Sequence, residues 1–245
     1  MVIEENNAEL YERWLKFMLE THGAFKEDPR NKFVFDEMVK FSSSITGDSI
    51  IIDIGAGQSE LSMFFENATY IAVDLGVGDD EWDFSKLDFK CDVQSLPIRG
   101  SIADAAINLW VMEHVPAPQL MVNEMFRILK PGGKTFLIVP FTLHEHQQPY
   151  DFYRYTQYGV RHLFETAGFS KVNVYSDSSA EFAAGHEAHK WLSALSGMLI
   201  MKDEQRTHVN QALEVTRALM TAAAEQFPAK TGGFALNWIC SAEKR

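Results

Sequence analysis

Short aliphatic runs alternating with stretches of helical period constrain this 245-residue chain more than any other feature. The runs are "SIIIDIG", "TYIAVD", "DFKCD", "DAAINLW", "KTFLIVP" and "KVNVYSD", and "FALNWICSA" follows "KTGG" near the end. Strands rich in Ile and Val, separated by helices, argue an α/β domain whose mostly parallel sheet is covered on both faces. Helical patterns at 119–129, closed by "KPGG", and at 157–167, closed by Gly168, fill two of the gaps. Two further helices are expected first. One spans 4–22, with Leu10, Trp14, Phe17 and Met18 on one face, and one runs from Pro29 to about Phe41.

The rhythm breaks at 180–230, which reads as two helices inserted before the last strand. In the second, Val209, Leu213, Thr216, Met220, Ala223 and Phe227 form a seam. Packing on the body, a lid and a homodimer face are the three readings of it. The expected organisation is a single domain over 1–245: N-terminal helices at 1–45, a core at 46–178 and 231–245, and the insertion at 179–230.

Charge narrows the partners. Twenty-two basic against 34 acidic side chains leave a net charge of −12, which repels phosphate backbones and anionic membrane surfaces. Cys91 and Cys240 form no CxxC pair, so neither a zinc framework nor a disulfide is expected, and a reducing cytoplasm is the default. "MVIEENNAEL" lacks the basic and apolar regions of a signal peptide, and "WLSALSGMLIM" is too short to span a bilayer.

The stretch "IIDIGAGQSEL", 51–61, is where a cofactor is expected. A glycine turn between the first strand and a helix-like run brings backbone close to a ligand and aims helix N–H groups at it. Here Gly55, Ala56 and Gly57 are followed by Glu60 where a dinucleotide fingerprint has its third glycine, and Asp53 precedes the turn. Two carboxylates repel a pyrophosphate and suit a cationic guest. S-adenosyl-L-methionine, with an ammonium, a sulfonium and no phosphate, fits better than NAD. Asp74 ends the second strand, where a carboxylate can accept ribose hydroxyls, and Asp92 ends the third, within reach of an adenine amino group.

With "DIGAG", "SLPI" and "VMEHVPAPQLMVNEMFRILKPGG" in order, the chain resembles class I S-adenosylmethionine-dependent methyltransferases over about 49–168 and the last strand. The resemblance implies a Rossmann-like seven-stranded sheet with an antiparallel last strand. It implies that Asp53 and the Gly55–Gly57 turn hold the methionine end, Asp74 and Leu75 the ribose, and Asp92 and Val93 the adenine. Ser59 stands where many relatives carry a further glycine, and Leu109 where a small polar residue is common.

The stretch from Val139, "VPFTLHEHQQPYDFYRYTQYGVRHLFETAGF", resembles a subset whose members often accompany genes of cell-surface glycan synthesis. A glycan or small-molecule hydroxyl is therefore the expected acceptor. Such an acceptor needs a base. His146, paired with Asp151, is the first candidate and His114 the second, while Tyr150, Arg154 and Tyr155 are candidates for holding the acceptor. His114 and His146 also admit a purely structural role, and Arg154 a pairing with Asp151. His144 and His146, on one face if extended, form with Asp151 an alternative metal site, but the pair has no obvious third ligand at fixed spacing, so no metal is expected. Two other readings stay open. One is a nicotinamide-dependent oxidoreductase, which lacks its Tyr-x-x-x-Lys here, and the other is a non-catalytic cofactor-binding regulator. A nucleic-acid methyltransferase is disfavoured by the charge and by "NLWVME" in place of an "NPPY"-like clamp.

Overall fold

The computed structural model describes residues 2–21, 26, 28–78, 82–199, 201–226, 229 and 233–245. His22, Phe227 and all but the last glycine of "KTGG" lie outside those residues. Helices α1 (Val2–Thr21) and α2 (Pro29–Ser43) precede β1 (Ile50–Ile54), β2 (Thr69–Asp74), β3 (Phe89–Lys90) and β4 (Ala103–Leu109). Then come α3 (Pro118–Ile128), β5 (Leu129–Pro140), α4 (Gln157–Ala167), β6 (Phe169–Ser176), α5 (Ala180–Met198), α6 (Asp203–Gln226) and β7 (Asn237–Lys244).

The seven strands form one sheet in the order β3-β2-β1-β4-β5-β7-β6. β3 to β5 run parallel, and β7 inserts antiparallel to both β5 and β6. The chain winds outward in one direction through β2 and β3 and then returns to lay β4 on the other side of β1. That reversal opens a crevice beyond the C-terminal ends of β1 and β4, where ligands of open α/β sheets bind.

Side-chain parity explains why the strands read as unbroken apolar runs. Ile52, Ile54, Leu137 and Val139 face Met121, Met125, Val160 and Phe164 of α3 and α4. Their neighbours Ile51, Ile107, Phe136 and Ile138 face Trp14, Val34, Phe35 and Met38 of α1 and α2. Local chemistry sets the helix ends. Asp28 caps α2 by accepting from Arg30 N at 2.9 Å, Thr156 caps α4, and Gly168 ends α4 at φ +102°.

Two local expectations change. The glycine turn leads into a five-residue 3-10 helix, Glu60–Phe64, rather than a full α-helix. Ser59, at φ +64°, is the left-handed residue before it. A left-handed residue favours glycine, which is the physical reason relatives carry glycine at this position. "KPGG" belongs to the start of β5 and is no loop.

In the insertion, α5 and α6 pack on each other, and His189 Nδ1 meets Thr216 Oγ1 at 2.8 Å across them. The seam of α6 is thus turned inward, with Met220 and Ala223 buried against Phe182, Ala183 and Leu236. Trp191, Leu195, Met198 and Leu219 remain exposed. No helix among the described residues is long and apolar enough to cross a membrane.

Trp14 anchors α1. It is fully buried, donates from Nε1 to Asn31 O at 2.9 Å and lies 5.6 Å, ring to ring, from Phe64. Trp14→Ala should cost about 3–5 kcal/mol of stability. Urea denaturation followed by far-UV circular dichroism measures it, and a loss below 1 kcal/mol would show that α1 is not part of the cooperative core.

Candidate active site

At the end of β1 the chain turns through Gly55 (φ +81°) and Gly57 (φ +51°). Gly55 N and Ala56 N both donate to Val73 O, at 2.7 and 3.0 Å, and Gly57 N donates to Asp74 Oδ2 at 3.0 Å. Asp74 Oδ1 accepts from Gly76 N at 2.7 Å, so this carboxylate ties the turn to the tip of β2. Leu75 beside it is exposed. A Cβ on residue 55 would lie 2.4 Å from Val111 Cγ1, so the absence of a side chain lets the loop after β4 pack onto the turn. Trp82 borders the same turn, its Cζ3 3.7 Å from where a Cβ on Gly57 would lie, and Asp83 N donates to Gln58 Oε1. Sequence reading did not single out Trp82, since no spacing links it to the glycines.

Asp53 is fully buried. Tyr70 donates its hydroxyl to Oδ2, while Oδ1 has no partner. Burial, reinforced by the charge of Asp74, pushes its carboxyl up to about 7, against the opposing hydrogen bond from Tyr70. Glu60 pairs with Lys86 at 3.3 Å on the surface. Of the two acidic residues weighed against a pyrophosphate, only Asp53 is thus buried beside the turn. Asp92 is exposed and accepts from Gln94 N at 2.8 Å, whereas the side chain of Val93 belongs to the core.

The second half of the site comes from the 3-10 turn Met112–His114 after β4 and the loop joining β5 to α4. Backbone bonds staple them together: Phe152 N and Tyr153 N donate to Glu113 O at 2.9 and 3.2 Å. Tyr155, expected to contact an acceptor, is a core residue: only 6% exposed, it donates its hydroxyl to Met112 O at 2.9 Å. Arg154 is likewise committed to the loop. It grips Asp151 with both terminal nitrogens, at 2.7 and 2.8 Å, and donates to the carbonyls of Leu143 and His144. That guanidinium, more than any other group, holds the Asp151 carboxyl down at about 2. Tyr150 keeps an exposed ring.

His114 and His146 meet edge to face, ring centroids 4.7 Å apart. His114 Nδ1 lies 2.6 Å from Tyr150 O, and burial lowers its pKa. His146 Nδ1 lies 3.4 Å from Asp151 Oδ2, which also accepts from His146 N at 2.9 Å. The third member is Glu113, which sequence reading missed. It is fully buried, neither carboxylate oxygen has a partner, and burial pushes it up to about 8. One donor atom from each of Glu113, His114 and His146 lies within 4.8 Å of the others. His144 and Asp151 are not part of that set.

A glycine turn at the sheet's reversal point, with carboxylates on successive strand tips, defines an open α/β domain built for a nucleoside cofactor. Residues 52–137 match the family model described as "Methyltransferase domain". The tRNA (carboxymethyluridine(34)-5-O)-methyltransferase ALKBH8 of Macaca fascicularis is 30% identical over 112 residues. That match takes in 42% of this chain but only 16% of the relative. A Thermotoga maritima S-adenosylmethionine-dependent methyltransferase shares the fold at TM-score 0.52 and 14% identity, over 96% of this chain and all of that one. A Haemonchus contortus phosphoethanolamine N-methyltransferase, solved with S-adenosylhomocysteine, also has TM-score 0.52, at 16% identity. It is covered over 52% of its length by 87% of this chain. The match over 52–137 and the fold shared with these methyltransferases point to S-adenosylmethionine as the cofactor.

The residues present fit that cofactor. The buried, unpartnered Asp53 Oδ1 suits a cationic ligand, and each Asp74 oxygen, already bonded once, keeps a lone pair for a hydroxyl.

The raised Asp53 pKa has a consequence for stability. The folded chain holds a proton from about pH 4 to about pH 7 that the unfolded chain has released, so stability falls as pH rises through that window. Asp53→Asn removes this slope, and its unfolding free energy should gain on the wild type between pH 5 and 8, by about 1.4 kcal/mol per pKa unit. Parallel urea titrations at several pH values measure the gain; a constant difference would mean that Asp53 is ionised in the fold.

Proposed function

We propose that this protein moves a methyl group from S-adenosylmethionine to a hydroxyl of a small molecule or glycan. The observation that carries the reading is the convergence of Glu113, His114 and His146 on the loop that packs against the glycine turn. A cluster able to manage a proton beside the cofactor turn is what O-methylation requires and what a passive binding module does not.

When bound, the cofactor supplies an electrophilic methyl on sulfonium sulfur. The chain's own part is to bind, orient and deprotonate. Asp53 faces the positive methionine end, the Gly55–Gly57 turn, free of side chains, lets the backbone approach it closely, and Asp74 with Leu75 receives the ribose. Asp92 takes the adenine amino group, with Val93 behind it. Tyr150 offers a ring on which a sugar can stack, and the Asp151–Arg154 pair fixes the loop that carries His146. Holding the acceptor in line with the methyl supplies much of the acceleration.

The curated relative acts on tRNA, but the net charge of −12 on this chain argues against a polyanionic acceptor. The proposed setting is the cytoplasm, in glycan modification.

Two measurements test the reading. Asp74→Ala should weaken S-adenosylmethionine binding by at least one charge-assisted hydrogen bond, about 1.5–3 kcal/mol, in titration calorimetry. Unchanged affinity would remove Asp74 from the ribose site. Radiolabelled methyl transfer into fractionated cell extract should mark a glycan or small-metabolite fraction, and label in RNA or protein would overturn the acceptor class.

A further inference from the structure

We infer that Glu113, His114 and His146 form a binding site for a divalent transition-metal ion of the zinc type. Four observations carry it. The three side chains come from two segments distant in sequence, yet one donor atom of each lies within 4.8 Å of the other two. Glu113 has both oxygens buried and without a side-chain partner among the described residues. Buried carboxylates are costly unless hydrogen-bonded or bound to a cation.

The third observation is the support behind each ring. Metal-bound histidines commonly donate their second nitrogen to a carbonyl or carboxylate, which fixes ring and tautomer. His114 has Tyr150 O at 2.6 Å from Nδ1 and Glu113 Oε1 at 4.0 Å from Nε2. His146 has His144 O at 3.2 Å and Asp151 Oδ2 at 3.4 Å from Nδ1. His114 thus has Nδ1 engaged and Nε2 turned to Glu113, while Nδ1 of His146 is held among His144 O, Asp151 and Arg154 Nη2, the last at 3.4 Å. The fourth is charge. Arg154, the cation beside His146, is offset by its bidentate pairing with Asp151, so its charge is neutralised next to the three donors.

Two imidazoles and one carboxylate are the donor set of open catalytic zinc sites, whose remaining position takes water or substrate. Tetrahedral bonds of about 2.1 Å put ligand atoms about 3.4 Å apart, so binding draws these donors together by about 1 Å. The inference deepens the proposed function. With the ion present, the two histidines are ligands rather than bases. The open position receives the acceptor hydroxyl and lowers its pKa, its proton passes to solvent water, and the oxygen takes the methyl as the sulfonium leaves as a neutral thioether.

The test uses the full chain, stripped of metal by chelator dialysis and titrated with zinc chloride by calorimetry. One ion per chain is expected, with binding weakened roughly 100-fold in Glu113→Gln and in His114→Ala. Glu113→Gln keeps shape while removing the charge, so it serves where the histidine variant fails to fold. Zinc should also raise the melting temperature of the wild type and not that of Glu113→Gln. Absence of binding, or zinc affinity equal in wild type and Glu113→Gln, overturns the site. S-adenosylmethionine binding and methyl transfer, measured on the same chelated samples, report on the proposed function separately. Transfer undiminished without metal would sink the metal's role while leaving the methyltransferase intact.

Discussion

The contact between Gly55 and Val111 organises the working edge of this molecule. A side chain at 55 would collide with Val111, so the loop after β4 reaches the glycine turn only because residue 55 has none. The turn is held from the other side by β2, through Val73 O and the Asp74 carboxylate. Three strand ends are thereby fixed at one point. Glu113, two residues beyond Val111, inherits its position from that contact, and the loop carrying His146 inherits its own from the backbone bonds to Glu113.

Much of the fold was legible because burial on both sheet faces leaves a direct mark on sequence. "SIIIDIG" and "KTFLIVP" are apolar at every parity since each face has its own layer of helices. The caps were equally readable: Thr156 and Gly168 bound α4 at the expected residues. What failed to read were segments whose conformation depends on contacts made elsewhere. The run after Gly57 has helical composition, yet it forms only a 3-10 turn, entered through a strained Ser59.

The candidate site divides in the same way. The residues proposed for the cofactor lie on strand tips, where order along the chain gives order in space. The acceptor half is built from two loops, and there residue type misleads. Tyr155 and Arg154 look like ligand contacts, but one faces the core and the other ties down its own loop. Glu113 reads as an ordinary surface acid in "MEHV". It is buried where its backbone carbonyl is bonded by Phe152 and Tyr153, almost forty residues later, and no local pattern announces that pairing.

Two buried carboxylates near one edge of the sheet, Asp53 and Glu113, each keep unpartnered oxygen. Isolated charges of this kind cost several kcal/mol each unless something compensates. Here the fold compensates by proton uptake, holding both groups near or above neutrality in pKa. A hydrophobic core of this size has ample apolar residues to fill those positions. Their retention as acids makes sense where a cation completes each in turn: the methionine end of the cofactor at Asp53 and a metal ion at Glu113.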